Sequence, residues 1–256
     1  MLTLYHGLAS TCSKKVRMCL SEKGLEWESR LVNLQKFEQH DPDYLKLNPN
    51  GVVPTLVHDG RPITESTIII EYIDDTFPET PLKPVDTYAR AQMRLWEKWS
   101  DDVGYAAVYV PTWDKLSRPA AEKLSDEELD HMTARVPTPE RRARWLQVAR
   151  GSFSQEEMDG AYEKMTRTFT KMEGTLADSQ WLAGDGFSLA DIAMAPFIDR
   201  MMDLRDDLVS EDLYPRVYDW FGRLRERPSF EPTFFFGGKD ARTSAVASSH
   251  KAEGIA

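Results

Sequence analysis

Three short clusters in the first 66 residues of this 256-residue chain carry side chains that can do chemistry. Ser10, Thr11, Cys12 and Ser13 open a helical stretch, where hydroxyls and free N–H groups can hold an anion. Lys14, Lys15 and Arg17 follow. Cations in a first helical turn oppose the helix dipole, which points to a bound anion nearby; the alternative is a polar loop with an ordinary N-cap. Val53-Pro54 is the second cluster. A cis amide would turn the Val53 N–H and C=O outward, where an extended peptide can pair as an added edge strand. A trans proline that merely starts a strand is the plainer alternative. Glu65-Ser66 is the third. A helix start suits a carboxylate and Glu65 suits an ammonium, so the pair fits the two charged groups of an amino acid. A capping pair that serves only its own helix is the alternative.

The surrounding pattern supplies elements to position these clusters. Leu2 to His6 is apolar and aromatic, a buried strand. In CSKKVRMCLSEKGL, the residues Cys12, Val16, Cys19 and Leu20 share a helical face, and Gly24 sits where a helix end wants a positive φ. Trp27 to Val32 alternates as a second strand, parallel to the first. Val53 to His58, the turn Asp59-Gly60, and Arg61 to Thr64 predict a hairpin. Glu65 to Thr76 is expected to be a helix stopped at Phe77-Pro78. Residues 1–78 thus form a small α/β domain, and the proline-rich segment 78–84 is the linker. Residues 86–236 read as all-helical. Tyr88 to Trp113 is a helix with Leu95, Trp99, Val103 and Ala106 on its buried stripe. Short helices and loops fill 119–154, and helices follow at 155–177, 188–204 and 213–225. Residues 237–256 are small and polar, an expected flexible tail.

Bulk properties narrow the function. A net charge of -10 and pI near 5.1 argue against a nucleic-acid surface. The chain lacks a run of about 18 apolar residues, so no membrane span is expected. Met1 to Tyr5 is read as leaving no room for a signal peptide. Cys12 and Cys19, about 10 Å apart on one helix, are too distant for a disulfide. The expectation is a reduced, cytoplasmic protein. Five scattered histidines form no ligand constellation, so no metal is expected.

Order and spacing together are more specific than any one cluster. LYHGLASTCSKKVRMCL, LNPNGVVPTLVHDG and ITESTIIIEYIDDTFPE resemble the thioredoxin-like domain of cytosolic glutathione transferases. FSLADIAMAP resembles the capping box of the family's all-α second domain, with Ser188 capping and Asp191 three residues on. The resemblance covers residues 1–230. It implies that Val53 and cis-Pro54 clamp the cysteinyl backbone of glutathione, the co-substrate. Glu65 and Ser66 would hold the γ-glutamyl end, and Gln39 or His40 the glycine carboxylate. Ser10 matches the catalytic serine of serine-type members, with Ser13 a second hydroxyl candidate, whereas Cys12 is off the cysteine-type position and reads as structural. One departure is Val52, where many members carry Lys or Gln. A two-fold homodimer is also implied, domain one of each subunit against domain two of the other.

Within the family, STCSKKVR resembles zeta-type members. KFEQH, HDG-x-x-x-TEST, LSDEEL, RVPTPE and the QEEM-containing insertion resemble bacterial β-aryl etherases, which cleave lignin-derived dimers. The long charged insertion favours the etherase branch. That branch implies a small aromatic electrophile, and of the aromatic set Trp96, Trp99, Tyr105, Tyr109 and Trp113 the last three, at i, i+4 and i+8, are the pocket candidates. A zeta-like isomerase or dehalogenase, or a glutathione-binding interaction module without turnover, are the alternatives. The predicted fold class is therefore an α/β thioredoxin-like N-terminal domain followed by an all-α C-terminal domain.

Overall fold

The computed structural model describes residues 1–238. Strand β1 (Leu2–His6) buries Leu2, Leu4 and His6, and a short loop leads into α1 (Thr11–Glu22). Gly24, at φ +62°, reverses the chain into β2 (Glu28–Leu31), which pairs parallel to β1 with Thr3 opposite Glu28. The polar–apolar alternation of β2 has no counterpart in burial, because all four residues are exposed on a sheet edge. Burial there falls on the flanking Trp27 and Val32 instead. Two single 3₁₀ turns, Leu34–Lys36 and Glu38–His40, precede α2 (Pro42–Leu47). Strands β3 (Thr55–His58) and β4 (Arg61–Ile63) form the hairpin, with Asp59 and Gly60 both at positive φ as a tight reversal requires. Helix α3 (Ser66–Thr76) follows, and the sheet order is β2-β1-β3-β4, with β3 antiparallel to both neighbours.

The helical part begins at α4 (Thr87–Trp99), capped by Asp86. The chain then runs without a break through a π-helical stretch at Ser100–Gly104, α5 (Tyr105–Thr112), a second π stretch at Trp113–Ser117, and α6 (Arg118–Ala121). Its buried stripe is Met93, Trp96, Gly104, Ala107 and Val108. The expected stripe was anchored one position off, since Leu95 stands 57% exposed. Helices α7 (Asp126–Thr133) and α8 (Pro139–Arg150) order the insertion. Then come α9 (Gln155–Thr175), α10 (Leu189–Arg205), α11 (Pro215–Arg225) and α12 (Phe230–Phe234). The expected tail falls, from residue 239 on, outside the described residues.

Helix α10 is the axle. Leu189 to Met201 is buried without interruption, and its start carries the complete Ser188/Asp191 capping box. One apolar core runs from Leu4 and Ile70 through Met93 and Phe197 to Trp220, so sheet and bundle share it. A second cluster holds Val110, Leu129, Trp145, Val148 and Phe153 with Phe37 from the first domain, so the insertion has its own core and shares it with that domain through the Phe37 ring. Among the described residues no helix is long and apolar enough to cross a membrane.

Candidate active site

The register of β1 and β3 ends with Tyr5 opposite Thr55, so the loop after β1 and the segment before β3 lie at the same end of the sheet. The Ser10 cluster and the Val53 cluster therefore meet at one end of the sheet. The Val53–Pro54 peptide is cis. Tyr44 Oη and Asn48 Nδ2 donate to the preceding Val52 carbonyl at 2.5 and 2.9 Å, fixing the bend. Neither the N–H nor the C=O of Val53 has a partner among the described residues, which leaves one strand-like pair of groups facing outward.

Helix α3 supplies the third cluster. Glu65 is exposed, sits at φ +67°, and does not cap the helix with its side chain. A non-glycine residue there is held in a sparsely populated conformation, and such positions gather at functional sites. The reading of Glu65-Ser66 as a pair that serves only its own helix is thus not what the geometry provides. The Ser66 hydroxyl lies beside the Cys12 thiol, and Lys15 Nζ reaches Thr67 Oγ1 at 3.1 Å, so the starts of α1 and α3 adjoin.

Around α1 the candidates separate. Ser10 is half-buried, and its Oγ accepts the Ser13 N–H at 3.2 Å, which leaves its own proton free to donate outward. Ser13 is fully buried, and its Oγ accepts the Gly7 N–H at 3.1 Å, bracing the loop from behind. Cys12 is half-buried, and burial pushes its thiol up, away from thiolate chemistry.

The cations of α1 are not an anion site. Lys14 pairs with Asp199 at 2.9 Å, and Lys15 with Asp101 at 2.8 Å and Ser100 at 2.8 Å. Arg17 donates to the carbonyls of Gly7, Leu8 and Thr233 at 3.1–3.3 Å. All three cations tie α1 to the helical domain. Buried charges need such partners, and that requirement explains cations in an early turn where the dipole disfavours them.

Gln39 and His40 are buried, with Gln39 Oε1 and His40 Nδ1 lacking a partner among the described residues. Buried polar atoms without partners are rare, and a ligand group would satisfy them. Burial, then the nearby Arg141 and Arg135 charges, pushes His40 down to about 4, so its ring is neutral. Gly51, at φ +59°, passes so close beneath it that a Cβ would come within 2.7 Å of His40 Cδ2. This close approach sets His40 beside the Val52–Pro54 bend.

Tyr105, Tyr109 and Trp113 form one wall, with ring centroids 5.3 and 5.2 Å apart. The line continues through Trp145 on α8 (4.6 Å) to Phe37 (4.3 Å) and His40 (5.5 Å). Trp96 and Trp99 belong to the core side of their helix. Sequence reasoning missed Phe37, Trp145 and the arginines of α8, because their roles depend on how the insertion folds back. Among the described residues no group of three or more His, Cys, Asp or Glu side chains is placed to hold a metal ion.

Comparison with known proteins completes the picture. Residues 9–76 match the glutathione S-transferase N-terminal domain model, and residues 129–228 the C-terminal domain model. The chain is 38% identical over 239 residues to Protein LigF of Sphingobium sp. strain SYK-6, covering 91% of this chain and 93% of that protein. It is 29% identical over 254 residues to glutathione S-transferase Z1 of Arabidopsis thaliana, 96% of each. The crystal structure of beta-etherase LigF from the Sphingobium strain superposes with a TM-score of 0.86 at 36% identity, covering 91% of this chain and 98% of that one. With the likeness running through both domains and along nearly the whole chain, this protein belongs to the glutathione S-transferase family.

Proposed function

We propose that this transferase presents glutathione as a thiolate and uses it to cleave an aryl ether that carries a ketone beside the ether carbon. The observation that carries the reading is that Cys12, two residues after Ser10, adjoins both the uncapped α3 start at Ser66 and the Tyr105 end of the aromatic wall, with the Val53 backbone pair left without a partner among the described residues. Val53 pairs with the cysteinyl backbone, Glu65 and Ser66 answer the γ-glutamyl charges, and Gln39 and His40 take the glycine carboxylate. Ser10 donates to the sulfur. A free thiol of pKa about 8.5 is a few per cent thiolate at neutral pH, and lowering it by about two units makes the anion the main form, at about 1.4 kcal/mol per unit. The thiolate then displaces a phenolate, an acceptable leaving group because phenols have a pKa near 10. Tyr105, Tyr109 and Trp113 hold the aromatic rings so that sulfur and ether carbon are aligned. The likeness to a beta-etherase supports this choice of electrophile.

Incubation with a fluorogenic α-aryloxy ketone tests the reading. Phenol release that requires glutathione is the expected result. Turnover of maleylacetoacetate or a halogenated aromatic without any ether cleavage would transfer the protein to the zeta-like alternative. Failure with every electrophile, despite glutathione binding, would make it a binding module.

We also propose a two-fold homodimer. Ile68 on α3 and Leu95 on α4, one from each domain, are 58% and 57% exposed and suit an isologous contact. Sedimentation of the protein and of Leu95→Glu decides this: a dimer that dissociates in the variant is expected, a monomeric parent protein would sink it.

A further inference from the structure

Helix α8 carries four arginines, of which Arg141 and Arg144 lie beside the aromatic wall, and their pairing differs. Arg144 binds Glu157 at 2.7 Å and lies over the Tyr109 ring at 5.6 Å. Arg150 pairs with Asp126 at 2.8 Å, and Arg142 is exposed to solvent. On the adjoining segment Arg135 pairs with Asp41 at 2.7 Å. Arg141 is half-buried and has no carboxylate partner among the described residues. It lies one turn before Trp145, hence on the same face of α8, and Trp145 is wedged between Trp113 and Phe37. That anchoring aims Arg141 at the wall, where it comes beside the Tyr105 hydroxyl and within electrostatic reach of Tyr109 and His40. An uncompensated cation set against a neutral phenol, in a protein of net charge -10, calls for an explanation.

We propose that Arg141 is a positioning residue for the leaving group: it orients and polarises the Tyr105 hydroxyl, which donates to the ether oxygen as that oxygen becomes a phenolate. The inference rests on the ether-cleavage reading above. In the reaction the thiolate sulfur forms a C–S bond to the ether carbon and the C–O bond breaks. The bonding pair departs on the aryl oxygen. The thiol proton has gone to solvent on ionisation, and the released phenolate recovers one from solvent. No oxidant or reductant is required. Tyr105 fits the donor role because burial, with Tyr109 beside it, holds its hydroxyl above the ordinary tyrosine value, so it keeps its proton. Arg141, whose charge acts on the Tyr105 hydroxyl, makes that proton a better donor. Charge stabilisation of this kind acts where charge develops, at the departing oxygen.

The test is a series of fluorogenic α-aryloxy ketones whose leaving phenols differ in acidity, assayed with the parent enzyme, Arg141→Gln, Arg141→Lys and Tyr105→Phe. For the least acidic phenol, Arg141→Gln is expected to lower kcat/KM by about 10- to 100-fold, the range for one hydrogen bond to a charged group. For the most acidic phenol the loss should shrink to a few-fold, so the dependence on phenol pKa steepens. KM for glutathione should hold. Arg141→Lys should recover part of the loss, and Arg141→Gln should add little in a Tyr105→Phe background. An equal loss across the series would overturn the proposal. So would an unchanged kcat with a raised KM for glutathione, which would reassign Arg141 to the glycine carboxylate beside His40. Absence of phenol release from the parent enzyme defeats the ether reading itself and this inference with it, a result distinct from a flat series.

Discussion

At the residue scale the site is defined by groups left unsatisfied. Gln39 Oε1, His40 Nδ1, the Val53 backbone pair and the first N–H groups of α3 lack partners among the described residues. Arg17 shows the opposite case: a buried guanidinium whose donors are spent on carbonyls of the loop that carries Ser10. Ser10 and Cys12 can be told apart by substitution. Ser10→Ala removes a donor to the thiolate, at about 1.5–3 kcal/mol, so turnover should fall roughly tenfold to 150-fold. It also removes the α1 cap at 3.2 Å, so the variant should melt earlier as well. Cys12→Ala should keep turnover, since its thiol is held up by burial. Ultraviolet absorbance of enzyme-bound thiolate against pH separates the effects. An unshifted thiol pKa in Ser10→Ala would move the role to a neighbour. Ser66→Ala should weaken glutathione binding in calorimetry with the fold intact, because it removes the hydroxyl of the first α3 residue, which caps no backbone group of its own helix.

At the element scale, legibility followed how local the determinants are. The helix over Ser66–Thr76 carries three consecutive isoleucines, yet Phe77-Pro78 at its end and the polar start fixed its type. Gly24 marked a chain reversal because its backbone demand is local. Ser188 and Asp191 announced α10 for the same reason. Strand β2 and its parallel pairing were legible, but alternation in ESRL says nothing about which edge of the sheet it occupies, so its exposure was not. The insertion was readable only as short pieces. Its helices are set by Ser125 and Thr138 caps, but its packing rests on Trp145 meeting Phe37, more than a hundred residues away in sequence. Only folding brings Arg141 to Tyr105. Phe37→Ala should therefore act on the element as much as on the residue. Removing a fully buried ring costs about 3–5 kcal/mol, and the loss should fall on the docking of α6–α8. Hydrogen exchange would show faster exchange across 118–153 than in α10. Uniform acceleration over the whole chain would mean that the insertion has no stability of its own.

At the scale of the molecule, the two halves are joined by apolar core and by buried charge together. Lys14, Lys15 and Arg17 reach out from α1, and Glu22 binds Arg227 and Ser229. Glu97 on α4 lies in the same contact, facing Glu71 of α3, Lys15 of α1, Arg94 on its own helix and Lys83 of the linker. It is buried, one carboxyl oxygen has no partner among the described residues, and burial reinforced by Glu71 pushes it up to about 8. A carboxyl whose folded pKa exceeds its unfolded value holds extra protons in the native state. Stability is therefore lost as pH rises from the unfolded value near 4.3 to about 8, and stays low above that. Asp191 and the buried His6 and His40 act outside the upper part of this window. Asp191, raised to about 6 by burial, works in the same direction but is finished by then. His6 and His40, lowered to about 3 and about 4 by burial, add stability as pH rises and are complete once the unfolded imidazole titrates near 6.5. Between roughly pH 6.5 and 8 the decline belongs to Glu97. Glu97→Gln should thus match the parent protein's melting temperature near pH 4.5 and exceed it increasingly toward pH 8. The gain should be about 2–4 °C for each kcal/mol recovered in a chain of this size. Thermal melts of both proteins at pH 4.5, 6.5 and 8 measure the difference directly. A gap of constant size at all three values would mean that Glu97 stays ionised in the folded protein, and that its unpartnered oxygen is answered by the cations around it.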